Sequence, residues 1–258
     1  MSLESTRYAK KIASAFNKGT LIAPLPIKFT KKSSEANKFR TECEKLITSP
    51  VIGFKAGGTG KPMLKKLGEI EPFCAAIFKK NLLKSNGSVK INKYTLGIEL
   101  EVFYQVKKSF FSNSKKITEK NVSSVVSHMG PCIEVVGYRQ KKKGLTYLGD
   151  LISDFGANVK FIIGKKQKFK KLKFNNLATS LYNKKSGQVA NGNTKTVYDS
   201  PLKSLIWLLN KIKKNKIDLN KDFLVFTGST VGVVPIQKTG LFKGEIKSLG
   251  SVKAKIKN

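Results

Sequence analysis

From residue 96 to 106 apolar and polar positions alternate, with Ile98, Leu100, Val102, Tyr104 and Val106 on one face and Glu99, Glu101, Phe103 and Gln105 on the other. This predicts a half-buried strand. Runs rich in β-branched and aromatic residues predict further strands at 132–138, 160–163, 223–226, 232–236 and 251–256. A period of three to four replaces the period of two near the N-terminus. Tyr8, Ile12, Ala13 and Phe16 form one stripe, so a helix is predicted over 3–18, stopped by Gly19. After a proline-punctuated stretch at 22–30, Ser33-Ser34-Glu35 are expected to cap a second helix running to about Ile47. A third helix is predicted over 201–214. Its stripe is Leu202, Leu205, Ile206, Leu209 and Ile212, with Ser200 as N-cap and Pro201 at the first helical position. Trp207 lies off that stripe and is assigned to packing.

The order of elements predicts an α+β fold with an N-terminal helical part (1–50) and a β-rich part (51–258). A chain of 258 residues with 40% hydrophobic content can build one large domain or two small ones, so length leaves the domain count open. No stretch approaches the roughly 18–20 apolar residues that cross a bilayer, and the N-terminus has no apolar signal core; no membrane partner and a cytoplasmic location are expected. Cys43, Cys74 and Cys132 are odd in number and widely spaced, which indicates buried thiols rather than disulfides or a zinc site.

The formal charge of +34 first suggests a polyanion partner. Arginine, however, occurs only at positions 7, 40 and 139, and the lysines run through the whole chain instead of forming a stripe. A biased composition with lysine at surface positions explains this better. Nucleic acid is therefore not expected as a partner, although such a field attracts a small anionic substrate. The basic segment 165–173, with Phe169 and Leu172 interleaved, is read as a lysine-guarded loop entering an edge strand.

Candidate chemistry begins at 53–62, GFKAGGTGKP. A Walker loop ending at Gly60-Lys61 would need glycine where Lys55 stands and serine or threonine where Pro62 stands, so the segment reads as a lysine followed by an amide-rich turn. The stronger signal is Glu99 and Glu101. A period of two places both carboxylates on one face, in a chain with only 16 acidic residues against 50 basic ones. Glu134 lies inside the apolar run Cys132-Ile133-Glu134-Val135-Val136, where an unpaired charge is costly. Two readings stay open at this level. The three glutamates are unrelated and each pairs with lysine, or they share a cation, for which oxygen-only ligation suits Mg2+ or Mn2+.

Motif order then adds a resemblance over nearly the full length. GFKAGGT (53–59) is similar to G-x-K-x-G-x-T, LGIELEVF (96–103) to an E-x-E metal strand, and IEVVGYR (133–139) to E-I-V-x-x-R. LGDLISDFGAN fits a D-x-x-x-D region, SPLKSLIWLLNKI resembles H-P-L-x-A-x-x-W-L-A-x-K, and VFTGSTVGVVPI and LGSVKAKI match terminal strands. The chain resembles the hydratase and decarboxylase branch of the fumarylacetoacetate hydrolase superfamily. The resemblance implies a single catalytic domain over 1–258 of mixed, rolled β-sheets with an N-terminal helical portion, assembled as a homo-oligomer. It implies that Glu99, Glu101 and Glu134 bind Mg2+ or Mn2+, that Lys55 is the catalytic residue beside a small anionic 2-oxo acid, and that Thr59, Thr227, Asp154 and Asn158 contact the substrate. The expected function is that of a metal-dependent lyase of the 2-keto-4-pentenoate hydratase type, working through a metal-stabilised enolate. A 4-oxalocrotonate-type decarboxylase, an acylpyruvate hydrolase and a catalytically lapsed member binding polyanions are the alternatives. Two departures bear on hydration: Phe73 stands where hydratases of this branch carry an aspartate, and Ala157 where they carry a serine, with Asp154 or Asn158 as substitutes. His128, the only histidine, is read as a loop residue outside the motifs.

Overall fold

The computed structural model of the chain describes residues 2–171 and 176–258. Helix α1 (Leu3–Lys18) begins where the Ser2 side chain accepts from the Ser5 amide at 3.2 Å, and ends at Gly19, whose φ of 70° places it in the left-handed region. Helix α2 (Ser33–Glu44) starts at Lys32, so Ser33 and Ser34 lie in its first turn instead of capping it, and it stops short of the predicted Ile47. Strand β1 (Val51–Gly57), helix α3 (Lys61–Lys66) and strands β2 (Phe73–Phe78), β3 (Leu82–Lys84), β4 (Gly87–Lys90) and β5 (Thr95–Val106) follow. Then come α4 (Val122–Val125), β6 (Val126–Gly137), α5 (Leu148–Ser153), β7 (Asn158–Ile163) and β8 (Gln167–Lys168). The remaining elements are β9 (Ala178–Asn183), β10 (Gly187–Asn193), α6 (Pro201–Lys214), β11 (Phe223–Ser229), β12 (Gly240–Ile246) and β13 (Gly250–Lys257).

Two sheets result. The larger has the order β2-β1-β11-β5-β6-β7-β3, with β8 paired to β6, and mixes parallel (β1 with β11, β3 with β7) and antiparallel neighbours. The smaller runs β10-β9-β12-β13-β4. The fold is thus the expected mixed α and β arrangement with curled sheets and an N-terminal helical portion. The small sheet stacks on one face of the large one: a Cβ built on Gly244 of β12 would sit 2.5 Å from Leu100 Cδ1 of β5, so a larger residue there would have to displace the Leu100 side chain. Ile98, Leu100, Val102 and Ile133 meet Phe242, Val252 and Ala254 in that core.

Helix α6 behaves as its pattern requires. The Ser200 hydroxyl accepts from the Lys203 amide at 3.1 Å, and Leu205, Leu208, Leu209 and Ile212 are buried. They join the core that also holds Phe54 and Val225 of β1 and β11. Each such side chain contributes about 1.5–3 kcal/mol. Trp207 is partly buried against the same core and lies 6.2 Å from the Tyr198 ring. Helices α1 and α2 close the sheet at β2, where Phe16 packs on Phe78 at 5.3 Å and on Phe155 at 4.7 Å.

Several expectations need correction. Strand β5 is buried on both faces, Glu101 and Phe103 as completely as Leu100, because the sheet rolls over the second face. Residues 232–236 form no strand and make only an isolated bridge, Ile98 to Val234. His128 lies in strand β6 opposite Gln105, not in a loop. Gly53 and Lys55 belong to a strand, β1, that the sequence reading did not predict, and the glycine-rich stretch follows it. The segment from Lys165 does enter a short edge strand, β8, against His128 and Met129; Leu172 and Lys173 lie outside the described residues. All three cysteines are buried and free. No helix among the described residues is long and apolar enough to cross a membrane.

Candidate metal centre and cavity

Rolling of the large sheet is what assembles the site. β1 and β6 are three strand steps apart through β11 and β5, which in a flat sheet is about 14 Å. Yet Lys55 Nζ of β1 donates to Glu134 Oε1 of β6 at 2.5 Å, so the face that carries both is strongly concave. Phe161, Phe226 and Phe103 fill the roll beside them, with Phe161 and Phe226 ring centroids 4.2 Å apart. The Lys55 ammonium lies 5.7 Å from the centroid of the Phe161 ring.

Register does the rest. Glu99 and Glu134 are direct cross-strand partners on β5 and β6, and Glu101 follows two positions along the same face. One oxygen of each of the three carboxylates lies within 4.8 Å of the others. At that separation a pair of ionised carboxylates repels by about 3–4 kcal/mol at an effective dielectric of about 20. Glu101 and Glu134 are fully buried and Glu99 is partly so. Burial raises the Glu99 carboxyl to about 7, with Glu134 adding to the rise and Lys55 opposing it. Burial, then the charges of Glu134 and Glu99, hold Glu101 well above the usual carboxylate range. For Lys55, burial pulls downward, but Glu134, Glu101 and Glu99 outweigh it and keep the ammonium above its ordinary value.

Whether these side chains suit a divalent cation is decided by what remains unsatisfied. Lys55 uses one oxygen of Glu134 and also donates to the Gly156 carbonyl at 3.3 Å. The Gly228 amide donates to Glu101 Oε2 at 3.0 Å. Glu134 Oε2 and Glu101 Oε1 are buried with no hydrogen-bond partner. When all three carboxylates are ionised, one ammonium leaves two negative charges uncompensated, which, on top of burial, is why Glu99 and Glu101 hold their protons in the absence of a cation. Hard oxygen donors, orphaned lone pairs and a deficit of two charges fit Mg2+ or Mn2+.

Two members of the cluster, Lys55 and Glu99, line a cavity of about 630 Å³ together with Gly57, Thr59, Phe73 and Thr230 among others, while Glu101 and Glu134 lie buried behind that lining. Two glycines make the close approaches here. A Cβ on Gly228 would lie 2.0 Å from Thr59 Oγ1, and one on Gly57 would lie 2.1 Å from the Phe73 ring. The predicted residues divide accordingly. Lys55, Thr59 and the three glutamates converge. Thr227 is fully buried and its hydroxyl donates to the Val102 carbonyl at 2.8 Å, away from the cavity. Asp154 and Asn158 do not line the cavity either. Asp154 accepts from the Arg139 amide and guanidinium at 2.8 and 2.9 Å and from Gln140 at 3.0 Å, while Asn158 donates to the Phe155 carbonyl. Phe73 lines the wall, and Ala157 is buried among Val136 and Tyr138. Sequence reasoning missed Gly228, although a glycine inside an apolar strand is a known sign of close backbone approach.

The fold of rolled mixed sheets is shared with solved structures. Over 98% of its length the chain is similar to 97% of 4-oxalocrotonate decarboxylase from Pseudomonas putida G7, solved with magnesium and adipate, at a TM-score of 0.82 and 18% identity. It is also similar to fumarylpyruvate hydrolase from Pseudomonas aeruginosa in complex with Mn2+ and pyruvate (TM-score 0.57, 15% identity, 81% of this chain and 90% of that one). Fumarylacetoacetate hydrolase from Exiguobacterium antarcticum gives a TM-score of 0.56 at 10% identity, over 82% of this chain and 76% of that one. At these identities the likeness establishes the fold. No protein-family model matches the chain.

Proposed function

We propose that the chain is a metal-dependent lyase of the 2-keto-4-pentenoate hydratase type, acting on a small 2-oxo acid, with Glu99, Glu101 and Glu134 as ligands of Mg2+ or Mn2+. The observation that carries this reading is the convergence of three carboxylates, with two buried oxygens unpartnered, beside one lysine, where Lys55 and Glu99 line a cavity. A divalent ion held there supplies Lewis-acid stabilisation of negative charge developing on the keto oxygen of a 2-oxo acid. Lys55, kept cationic by its three carboxylate neighbours, orients the substrate carboxylate and donates protons rather than taking them. The aromatic packing of Phe161, Phe226 and Phe103 keeps water from the buried side of the cluster. Thr59, at the cavity wall, contributes a hydroxyl within the same space.

A decarboxylase or acylpyruvate hydrolase is the second reading, and one observation favours it. Among the described residues lining the cavity, Glu99 is the only acid, and the wall position where a hydratase of this type carries an aspartate is Phe73. Incubation with Mg2+ and 2-hydroxypentadienoate, oxalocrotonate or acylpyruvates separates the reactions by water addition, release of carbon dioxide or release of pyruvate. Failure to turn over any of them, together with salt-sensitive DNA binding, would replace both readings with a lapsed, polyanion-binding protein. Organisation as one catalytic unit over 1–258, a homo-oligomeric state and a cytoplasmic location belong to the same proposal, and sedimentation checks the second.

A further inference from the structure

The chain carries 50 lysines and arginines, but among the described residues lining the cavity the only charged side chains are Lys55 and Glu99, both from the carboxylate cluster and its lysine. The rest of the lining is neutral, and much of it is apolar: Met63, Phe73, Leu96, Leu145, Leu151 and Val233. Two of these lining residues, Leu145 and Val233, are 36% and 46% exposed, so the lining includes apolar side chains that solvent reaches. Several hydroxyls on the wall are already committed as donors to backbone: Thr230 to Leu100, Ser229 to Gly232, and Thr196 to Asn193. A volume of about 630 Å³ lies in the range of pockets that enclose a drug-sized ligand, several times what pyruvate needs.

Resting on the function proposed above, we infer that the substrate is a monocarboxylic 2-oxo acid with a long or bulky uncharged tail, lying on Phe73, Leu145 and Val233. A second carboxylate at the distal end would be taken from water with no cation to meet it, whereas each methylene laid on this wall improves binding about fourfold. The protein's overall positive field favours a dianion during approach, but it is screened beyond about 8 Å at physiological salt and does not supply a partner inside the cavity.

Calorimetry at physiological salt with saturating Mg2+ tests this with pyruvate, 2-oxohexanoate, 2-oxooctanoate and 2-oxoadipate, the last matched in chain length to 2-oxohexanoate. Affinity should rise at least tenfold from pyruvate to 2-oxohexanoate, rise or hold at 2-oxooctanoate, and fall at least tenfold from 2-oxohexanoate to 2-oxoadipate. In Leu145→Asp, an exposed position where folding is tolerant, the ratio of 2-oxohexanoate to pyruvate affinity should drop at least fivefold. A flat series, a 2-oxoadipate affinity equal to or above that of 2-oxohexanoate, or an unchanged ratio in Leu145→Asp overturns the inference while pyruvate binding keeps the 2-oxo acid reading. Absence of binding by all four acids to the metal-loaded protein overturns that reading, and the inference with it.

Discussion

Replacing Lys55 by methionine removes an ammonium while keeping most of an apolar stem. Lys55 and Glu134 are 2.5 Å apart, and their side chains are 5% and 0% exposed, so the substitution leaves a buried carboxylate without its cation and raises the uncompensated charge of the cluster from two to three. Breaking one side of such a buried pair costs about 3–5 kcal/mol. For a chain of this size that corresponds to a fall in Tm of roughly 6–20 °C in the metal-free protein. Protonation of Glu99 or Glu101 relieves part of the loss, so the fall should be smaller near pH 5.5 than near pH 7.5. Mg2+ should relieve it as well, and bind more tightly than to the wild type, because the competing ammonium is gone. Thermal melts of both proteins with chelator and with saturating Mg2+, at both pH values, measure all of this. A Tm unchanged by the substitution, or a loss independent of both pH and metal, would refute the assignment of Lys55 as the charge partner of the cluster.

Titration of the glutamates gives a signed pH dependence. Glu99 titrates at about 7 in the folded chain against 4.5 as a free group, so the folded state holds its proton more tightly. The Glu99 contribution to metal-free stability should therefore fall as pH rises from about 4.5 to about 7, and Glu101, whose carboxyl is also held up by burial, adds to the fall, while Mg2+ affinity climbs with pH as the ion displaces protons; urea titrations and calorimetry check the two slopes. Gly228→Ala places a Cβ 2.0 Å from Thr59 Oγ1 at a φ of 101°, and should destabilise by roughly 2–4 kcal/mol in urea. Arg139→Met should cost about 3–5 kcal/mol by stranding the buried Asp154, with the Mg2+ Kd unchanged within twofold, because Asp154 braces the chain around Arg139 and Gln140 instead of meeting the ligand. A large change in Kd would put Asp154 back at the site.

What the sequence made legible follows from range. Helices α1 and α6 are set by local rules, a cap, a stripe and a stop, and residues 3–18 and 201–214 match the structure at both ends. The alternation in β5 placed Glu99 and Glu101 on one face, and Glu134 stood out as a charge in an apolar run. Their meeting depends on the β5–β6 register, a contact 35 residues apart for Glu99 and Glu134 that no local pattern encodes. The roll of the sheet, which brings Lys55 across three strand steps, is a sum of twists and glycine contacts and is equally hidden. The strand at 51–57 is not legible from the sequence, because its glycines mask a strand whose partners, Phe73–Phe78 and Phe223–Ser229, lie elsewhere in the chain. Asp154 and Asn158 show the converse. Polar residues beside a motif look like ligand contacts until the structure shows Arg139 and Phe155 already using them.

The central claim is that the three glutamates hold one divalent ion, and titration calorimetry of Mg2+ or Mn2+ into wild type and Glu101→Gln tests it directly. Glutamine keeps the shape and can still accept from the Gly228 amide, but removes one of the three clustered charges. The account predicts one ion per chain in the wild type and at least a hundredfold weaker binding in the variant. No binding in the wild type, or the same affinity in both proteins, would contradict it.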